Sequence, residues 1–416
     1  MSISRRTLLT TTLGAGAALA TGASLSLAGP GGGTRGRVIV PNGSVLEPKL
    51  RGGVKVFHLI AEPIKHVIAP GLEIEAWGYN GSTPGPLLEV DQGDRVRIYV
   101  TNKLPEATTI HWHGVFVPYG MDGVGGLTQE PIAPGKTFKY EFTFDRAGTF
   151  MYHPHVDEMT QIALGMMGMI VVHPHGASVS NTAARRVRDY ALMSHEMLVP
   201  IGTRRPDPLA MTDFNVLTFN GVSFPATEPL LAETGDLVRI RFANLGPMDH
   251  HPLHLHGHAF EVVATDGGIV PQSARFPETT VLVPTGTVRV IEFTARAPGD
   301  WALHCHMTHH AMNQMGHAAA NLIGADITGI DDKLDRVVPG YMTMGAGGMS
   351  EMGGMAQPVN SIAMMSAKGP HGTIDMGGMF TLVKVRDSLA KEPGWYSAEP
   401  TASEASAQEL HRDGIE

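Results

Sequence analysis

Apolar and polar residues alternate in short runs along most of the chain, as in Val54-Lys55-Val56-Phe57-His58-Leu59-Ile60 and Arg95-Val96-Arg97-Ile98-Tyr99-Val100. A period of two sends successive side chains to opposite faces, so these runs read as half-buried β-strands. Gly, Pro, Asn and Asp punctuate them, and 50 glycines with 29 prolines imply frequent turns. Helical periodicity is scarce. The pattern predicts an all-β chain built as antiparallel sandwich.

The pattern also repeats. Pro86-Leu87-Leu88-Glu89-Val90-Asp91-Gln92-Gly93-Asp94-Arg95-Val96-Arg97-Ile98 returns as Pro229-Leu230-Leu231-Ala232-Glu233-Thr234-Gly235-Asp236-Leu237-Val238-Arg239-Ile240. Each copy follows an Asn-Gly pair, Asn80-Gly81 or Asn220-Gly221, and leads to a histidine cluster, His111-Trp112-His113-Gly114 or His254-Leu255-His256-Gly257. Each closes on a second cluster, Tyr152-His153-Pro154-His155 or Leu303-His304-Cys305-His306. Four matched elements in one order indicate two copies of one β-sandwich, over about 53–178 and 179–325.

The remaining segments differ in composition. Residues 1–28 read as an export signal: Arg5-Arg6 precede a modest apolar stretch and resemble a twin-arginine leader, with small-residue cleavage sites at Ala18-Leu19-Ala20 and Ser26-Leu27-Ala28. The alternative is an uncleaved anchor. The expected location is periplasmic or secreted. Residues 29–52 are rich in Gly, Pro and Arg and read as a flexible arm. Residues 326–416 read as a low-complexity tail, with nine methionines between 342 and 379 and one strand-like run, Phe380-Thr381-Leu382-Val383-Lys384-Val385.

Charge and cysteine usage narrow the chemistry. The balance of 31 basic and 40 acidic residues, net −9, argues against a nucleic-acid binder. A single cysteine, Cys305, excludes an intrachain disulfide and a Cys-rich zinc site. The 21 histidines are the unusual feature. Four His-x-His pairs stand out: His111/His113, His153/His155, His254/His256 and His304/His306. In a strand, residues i and i+2 share a face, so each pair aims two imidazoles at one point. Eight convergent imidazoles suggest several metal ions. Cys305 lies between two of them and points the other way, toward a different metal. His251, His310 and Met315 are nearby in sequence, and two histidines, one cysteine and a weak axial methionine make a blue-copper electron-transfer set.

On these motifs the chain resembles the multicopper oxidases over roughly residues 54–325: His-x-His-Gly at 111–114, His-x-His at 153–155, His-Pro-x-His-Leu-His-Gly-His at 251–258, and His-Cys-His-x-x-x-His-x-x-x-x-Met at 304–315. The resemblance implies two cupredoxin-like Greek-key β-sandwich domains and four coppers per chain. His251, Cys305, His310 and Met315 would hold the type 1 copper. His111 and His254 would hold the type 2 copper, and His113, His153, His155, His256, His304 and His306 the type 3 pair. The family's spacing selects His310 and Met315 over His309 and Gln314. The first half has Thr108, Pro154 and Met159 where the second has His251, Cys305 and His310, so it should lack a type 1 site. Only 96 residues separate His155 from His251, which leaves no room for a middle domain. In two-domain relatives neighbouring subunits share the cluster, which implies a homotrimer with a head-to-tail interface.

The implied activity is one-electron oxidation of phenols, aromatic amines or Cu(I), coupled to reduction of O₂ to water. Cys305 would pass electrons to the cluster through His304 and His306. Asp122 matches the family's cluster-proximal aspartate and would deliver protons; read alone, it is a turn residue before Gly123. Ala311 stands where many relatives have an acid. Asp157 and Glu158 are substitutes for that acid, or else solvated loop charges. The Met-rich segment suggests Cu(I) handling, since thioether is a soft ligand. Two alternatives remain at this point: a copper nitrite reductase, also a two-domain trimer, and a non-enzymatic copper-storage or resistance protein.

Overall fold

The computed structural model describes residues 36–175, 186–311 and 367–397 apart from 71, 201, 202, 213, 375 and 390–392, together with 405–415 and a few isolated positions from 329 to 339. Residues 1–28 and Met315 lie outside the described residues.

The described residues are nearly all-β, with short helices at Glu158–Ala163 and Ala407–Arg412, and the first half forms two facing sheets. In one, Val54–Ala69 pairs with Lys49–Arg51, Leu72–Tyr79 and Arg95–Asn102, and Thr137–Thr143 adds to the last. In the other the order is Val45–Leu46, Leu87–Asp91, Gly168–His173, Gly148–His153, His111–His113. Alternate residues of Arg95–Asn102 are buried, as the period-two pattern requires. They meet Trp112, Tyr140 and Tyr152 in a single apolar core.

The second half repeats this plan. Its histidine-bearing sheet runs Leu230–Glu233, Phe380–Arg386, Gly299–Cys305, His251–Leu255, Thr280–Val283. The facing sheet runs Val216–Phe219, Val187–Met197, Leu237–Asn244, Thr287–Thr294, Phe260–Thr265 and Gly268–Ile269. The Asn-Gly pairs are equivalent as well. Asn80 and Asn220 have φ of 54° and 48°, followed by Gly81 and Gly221 at 78° and 79°, left-handed values suited to tight hairpins.

Two segments depart from the sequence reading. The arm at 29–52 is structured from residue 36 onward: Val38 is buried, Val45–Leu46 joins Leu87–Asp91, and Lys49–Arg51 joins Val54–Ala69. The region at 326–416 is not simply a tail. Phe380–Arg386 sits inside the second sandwich, parallel to Leu230–Glu233 and antiparallel to Gly299–Cys305. Gly168–His173 occupies the same place in the first half, parallel to Leu87–Asp91 and antiparallel to Gly148–His153. The Met-rich stretch is therefore an insertion between the last two strands of the repeat. Its amphipathic run was legible as a strand, but its partners lie too far away in sequence to be read.

The halves pack through two apolar seams. One joins Val38, Met151, Ile162, Met167 and Met169 to Met193, Leu245 and Val290, and the other joins Ile68, Ile74 and Ala76 to Met197, Val199 and Val216. Across the first seam the buried Arg241, paired with Asp189, donates to Thr149 Oγ1 at 2.6 Å.

Candidate metal centres

Strand register brings the histidines together. His111 lies opposite His153 in the first half, and His254 lies opposite His304 in the second. The strands end at His153 and Cys305, and the chain turns so that His155 and His306 rejoin their groups. In the first quartet the ring of His111 is 5.8, 5.4 and 5.7 Å from those of His113, His153 and His155. In the second, the ring of His254 is 4.8, 5.7 and 5.5 Å from those of His256, His304 and His306. Each quartet unites two of the sequence-derived pairs. Among the described residues, no ring of one quartet contacts a ring of the other.

Hydrogen bonds set which ring nitrogen faces inward. His111 donates through Nδ1 to the Asp122 carbonyl at 2.8 Å, and His254 through Nδ1 to the Thr279 carbonyl at 2.8 Å. His153 and His304 donate through Nδ1 to the carbonyl of the next residue, Pro154 or Cys305, at 2.9 Å in each case. With Nδ1 committed, all four present a bare Nε2. Desolvation pushes the His153 imidazole down to about 3 and lowers those of His113, His256 and His304, so they stay neutral near pH 7.

The first quartet opens into a cleft of about 600 Å³ whose far wall is the second half's Leu245, Pro247, Met248 and Gly286. The Asp122 carboxylate is 3.6 Å from His111 Nδ1, outside hydrogen-bond range, so its main chain holds the ring. Glu158 begins the short helix Glu158–Ala163 and, although its side chain is 43% exposed, reaches the first quartet. Its two oxygens lie 3.3 Å from His153 Nδ1 and 3.8 Å from His155 Nε2.

A separate, buried site surrounds Cys305. Its side chain lies on the face of the strand opposite His304. Sγ is 3.8 Å from His251 Nδ1 and 3.6 Å from His310 Nδ1, and those nitrogens are 3.2 Å apart. Both rings are buried, and each points its other nitrogen at a carboxylate: His251 Nε2 lies 3.3 Å from Glu196 Oε2, and His310 Nε2 lies 3.2 Å from Asp249 Oδ2. Donation from both Nε2 atoms leaves two bare Nδ1 atoms facing each other beside a thiol. Such lone pairs repel unless a cation lies between them. Two nitrogens and one sulfur suit a soft or borderline metal, and copper fits this donor set. Burial pushes the free Cys305 thiol up to about 12, so thiolate formation here requires a cation.

Sequence reasoning overlooked Glu196 and Asp249. The available signals were an acid inside the apolar run Tyr190–Val199 and another two residues before His251. The matching space in the first half offers no ligands among the described residues. There the buried Thr108 hydroxyl donates to Gln161 Oε1 at 2.7 Å, and Met159 is exposed.

Residues 62–177 and 200–323 match two sequence models, each described as multicopper oxidase, which together span more than half of the chain. The chain is 32% identical to Laccase-1 of Botryotinia fuckeliana over 267 residues, 60% of this chain and 46% of that one, so it spans under half of that relative's length. A blue copper oxidase from Nitrosomonas europaea is similar with a TM-score of 0.57 at 25% identity, over 79% of this chain and 85% of that chain. A copper nitrite reductase from the same organism gives 0.53 at 26%, over 62% and 90%. The two matched segments contain the two histidine quartets, with Cys305 in the second, and the chain belongs to the multicopper oxidase family.

Proposed function

We propose that the protein is a laccase-like multicopper oxidase that couples one-electron oxidation of phenolic donors, aromatic amines or Cu(I) to four-electron reduction of O₂ to water. Cys305 carries this reading. Its thiol faces His251 and His310, while the residues on either side, His304 and His306, belong to a histidine quartet. Only main-chain and side-chain covalent bonds separate the buried site from that quartet. Copper, when bound, supplies a one-electron acceptor at the first position and an oxygen-reducing centre at the second.

His251, Cys305, His310 and Met315 would hold one copper. His111 and His254 would hold a second. His113, His153, His155, His256, His304 and His306 would hold two more, making four per chain. Asp122 would supply protons beside His111. A copper nitrite reductase shares the overall fold, but eight paired histidines exceed what two single-copper sites use. Simple copper storage gives no reason to set a buried thiol between two cluster histidines.

The quartets make no ring contact within the chain, which supports a cluster assembled from four histidines of one subunit and four of the next. Exposed apolar residues lie near both quartets: Phe116 and Tyr119 follow His113 in sequence, and Leu282 is on the strand Thr280–Val283, which pairs with His251–Leu255. Both observations support a head-to-tail homotrimer. The twin-arginine-like leader supports export to the periplasm or beyond.

Complementation tests the assembly. A variant lacking His111 and His113 and a variant lacking His304 and His306 are each expected to be inactive. Mixed and reassembled, they regain activity if clusters form between subunits. No recovery in verified mixed trimers would place the cluster within one chain.

A further inference from the structure

Glu196 accepts from His251, but the charge of its buried carboxylate has no part in the roles assigned so far. It lies on strand Val187–Met197 with 0% relative exposure, and accepts from the backbone N–H groups of Met248 at 3.0 Å and Asp249 at 2.8 Å, besides its contact with His251 Nε2 at 3.3 Å. The neighbouring backbone is shaped to admit it: a Cβ at Gly246 would fall 1.8 Å from Glu196 Oε2. Asn244 holds the same loop, accepting from Gly246 N and donating to the Asp249 carbonyl.

We propose that Glu196 is a positioning residue that fixes the tautomer of His251 and, through its charge, biases the Cys305 site toward its more oxidised metal state, so that the site draws on strongly reducing donors. The proposal rests on the oxidase reading. Donation from Nε2 to Glu196 makes His251 bind through Nδ1 and raises the ring's basicity. The charge acts in a dry interior, where it is felt more strongly than in solvent. A negative charge favours Cu(II) over Cu(I), because it interacts with one more positive charge in the oxidised state. Asp249 stands in the same relation to His310, but its side chain is 27% exposed, so water screens it more. The donor class follows: Cu(I) and electron-rich aromatics such as catechols and methoxyphenols, ahead of simple phenols.

The test compares the copper-loaded wild type with Glu196→Gln, Glu196→Asp and Asp249→Asn, by visible absorption and by anaerobic redox titration of the blue chromophore. Gln can still accept from His251 but lacks the charge. E196Q is expected to stay blue, with a higher potential equivalent to about a tenfold fall in its preference for Cu(II) over Cu(I). D249N should show a smaller rise, and E196Q should gain activity on simple phenols. A blue E196Q with a potential at or below the wild type overturns the proposal. If E196Q does not hold copper, E196D decides. It keeps the charge with a shorter reach, so its blue band should shift while its potential stays near the wild type. An unchanged band with a raised potential contradicts the proposal. A wild type that binds copper without a blue band overturns the oxidase reading itself, whereas a blue wild type with an unmoved E196Q potential overturns only this inference.

Discussion

His304 donates through Nδ1 to the carbonyl oxygen of Cys305, 2.9 Å away, while the Cys305 side chain turns to the opposite face, 3.6 Å from His310 Nδ1. His153 and Pro154 repeat the first half of this relationship at the same 2.9 Å. The two halves thus build their quartets alike, and the sulfur distinguishes them. Replacing Cys305 by Ser should abolish the blue colour and oxidase turnover. The His304 bond uses only the main chain of residue 305, so the quartet should survive. Absorption and turnover, set against a melting temperature within a few degrees of wild type, check this.

Acid should weaken the copper-free protein. Burial pushes His310 and His195 down to about 4 and His153 to about 3, below the ordinary histidine value near 6.5. Between these values the unfolded chain binds protons that the folded chain does not, so stability is full above about pH 6.5 and is lost as pH falls. By pH 5 each of the three should cost about 2 kcal/mol relative to pH 7. Urea unfolding of the copper-free chain at the two pH values measures this. Equal midpoints would contradict these buried neutral histidines.

Asp122→Asn should separate holding from turnover. The Asp122 main-chain carbonyl orients His111, and Asn retains it. Copper content and colour should therefore stay constant, while O₂ reduction should fall by about 100-fold on the proposal that the Asp122 carboxylate delivers protons. Metal analysis beside oxygen uptake decides. Loss of copper in the variant would mean that the carboxylate itself organises the site.

The strand Phe380–Arg386 should be indispensable although it follows the Met-rich insertion. Val383 and Val385 are fully buried in the second core. Val383→Asp should destabilise by about 3 kcal/mol or more through an unpaired buried charge. Deleting 341–366, upstream of this strand, should leave stability and colour unchanged. If that deletion lowers Cu(I) oxidation but not phenol oxidation, the insertion handles copper; equal activities would show that it is no copper relay.

Much of this was legible in the sequence because it is local. The four His-x-His pairs, the His-Cys-His step and the Asn-Gly turns are set by neighbouring residues, and the duplication made each copy a check on the other. Long-range relationships were not legible. Phe380–Arg386 pairs with strands about 80 and 150 residues earlier, and no short-range pattern announces that register. Glu196 stands out only as an acid in an apolar run, and sequence does not show its partner, since His251 lies 55 residues away. Sequence leaves Glu158 open between a substitute acid and a solvated charge, because it does not show that the short helix starting at Glu158 brings the carboxylate within 3.3 Å of His153 Nδ1. The arm before residue 53 looked flexible by composition, yet Val38 is buried where the two halves meet.

On this reading, Cys305 joins an electron-accepting copper to a histidine cluster. Copper content measured together with the visible and near-ultraviolet spectrum of the purified, copper-loaded protein tests it most directly. Four coppers per chain, an intense blue band that disappears on reduction, and oxygen uptake with a phenolic donor or Cu(I) are expected. About one copper per chain, without blue colour or oxygen uptake, would contradict it.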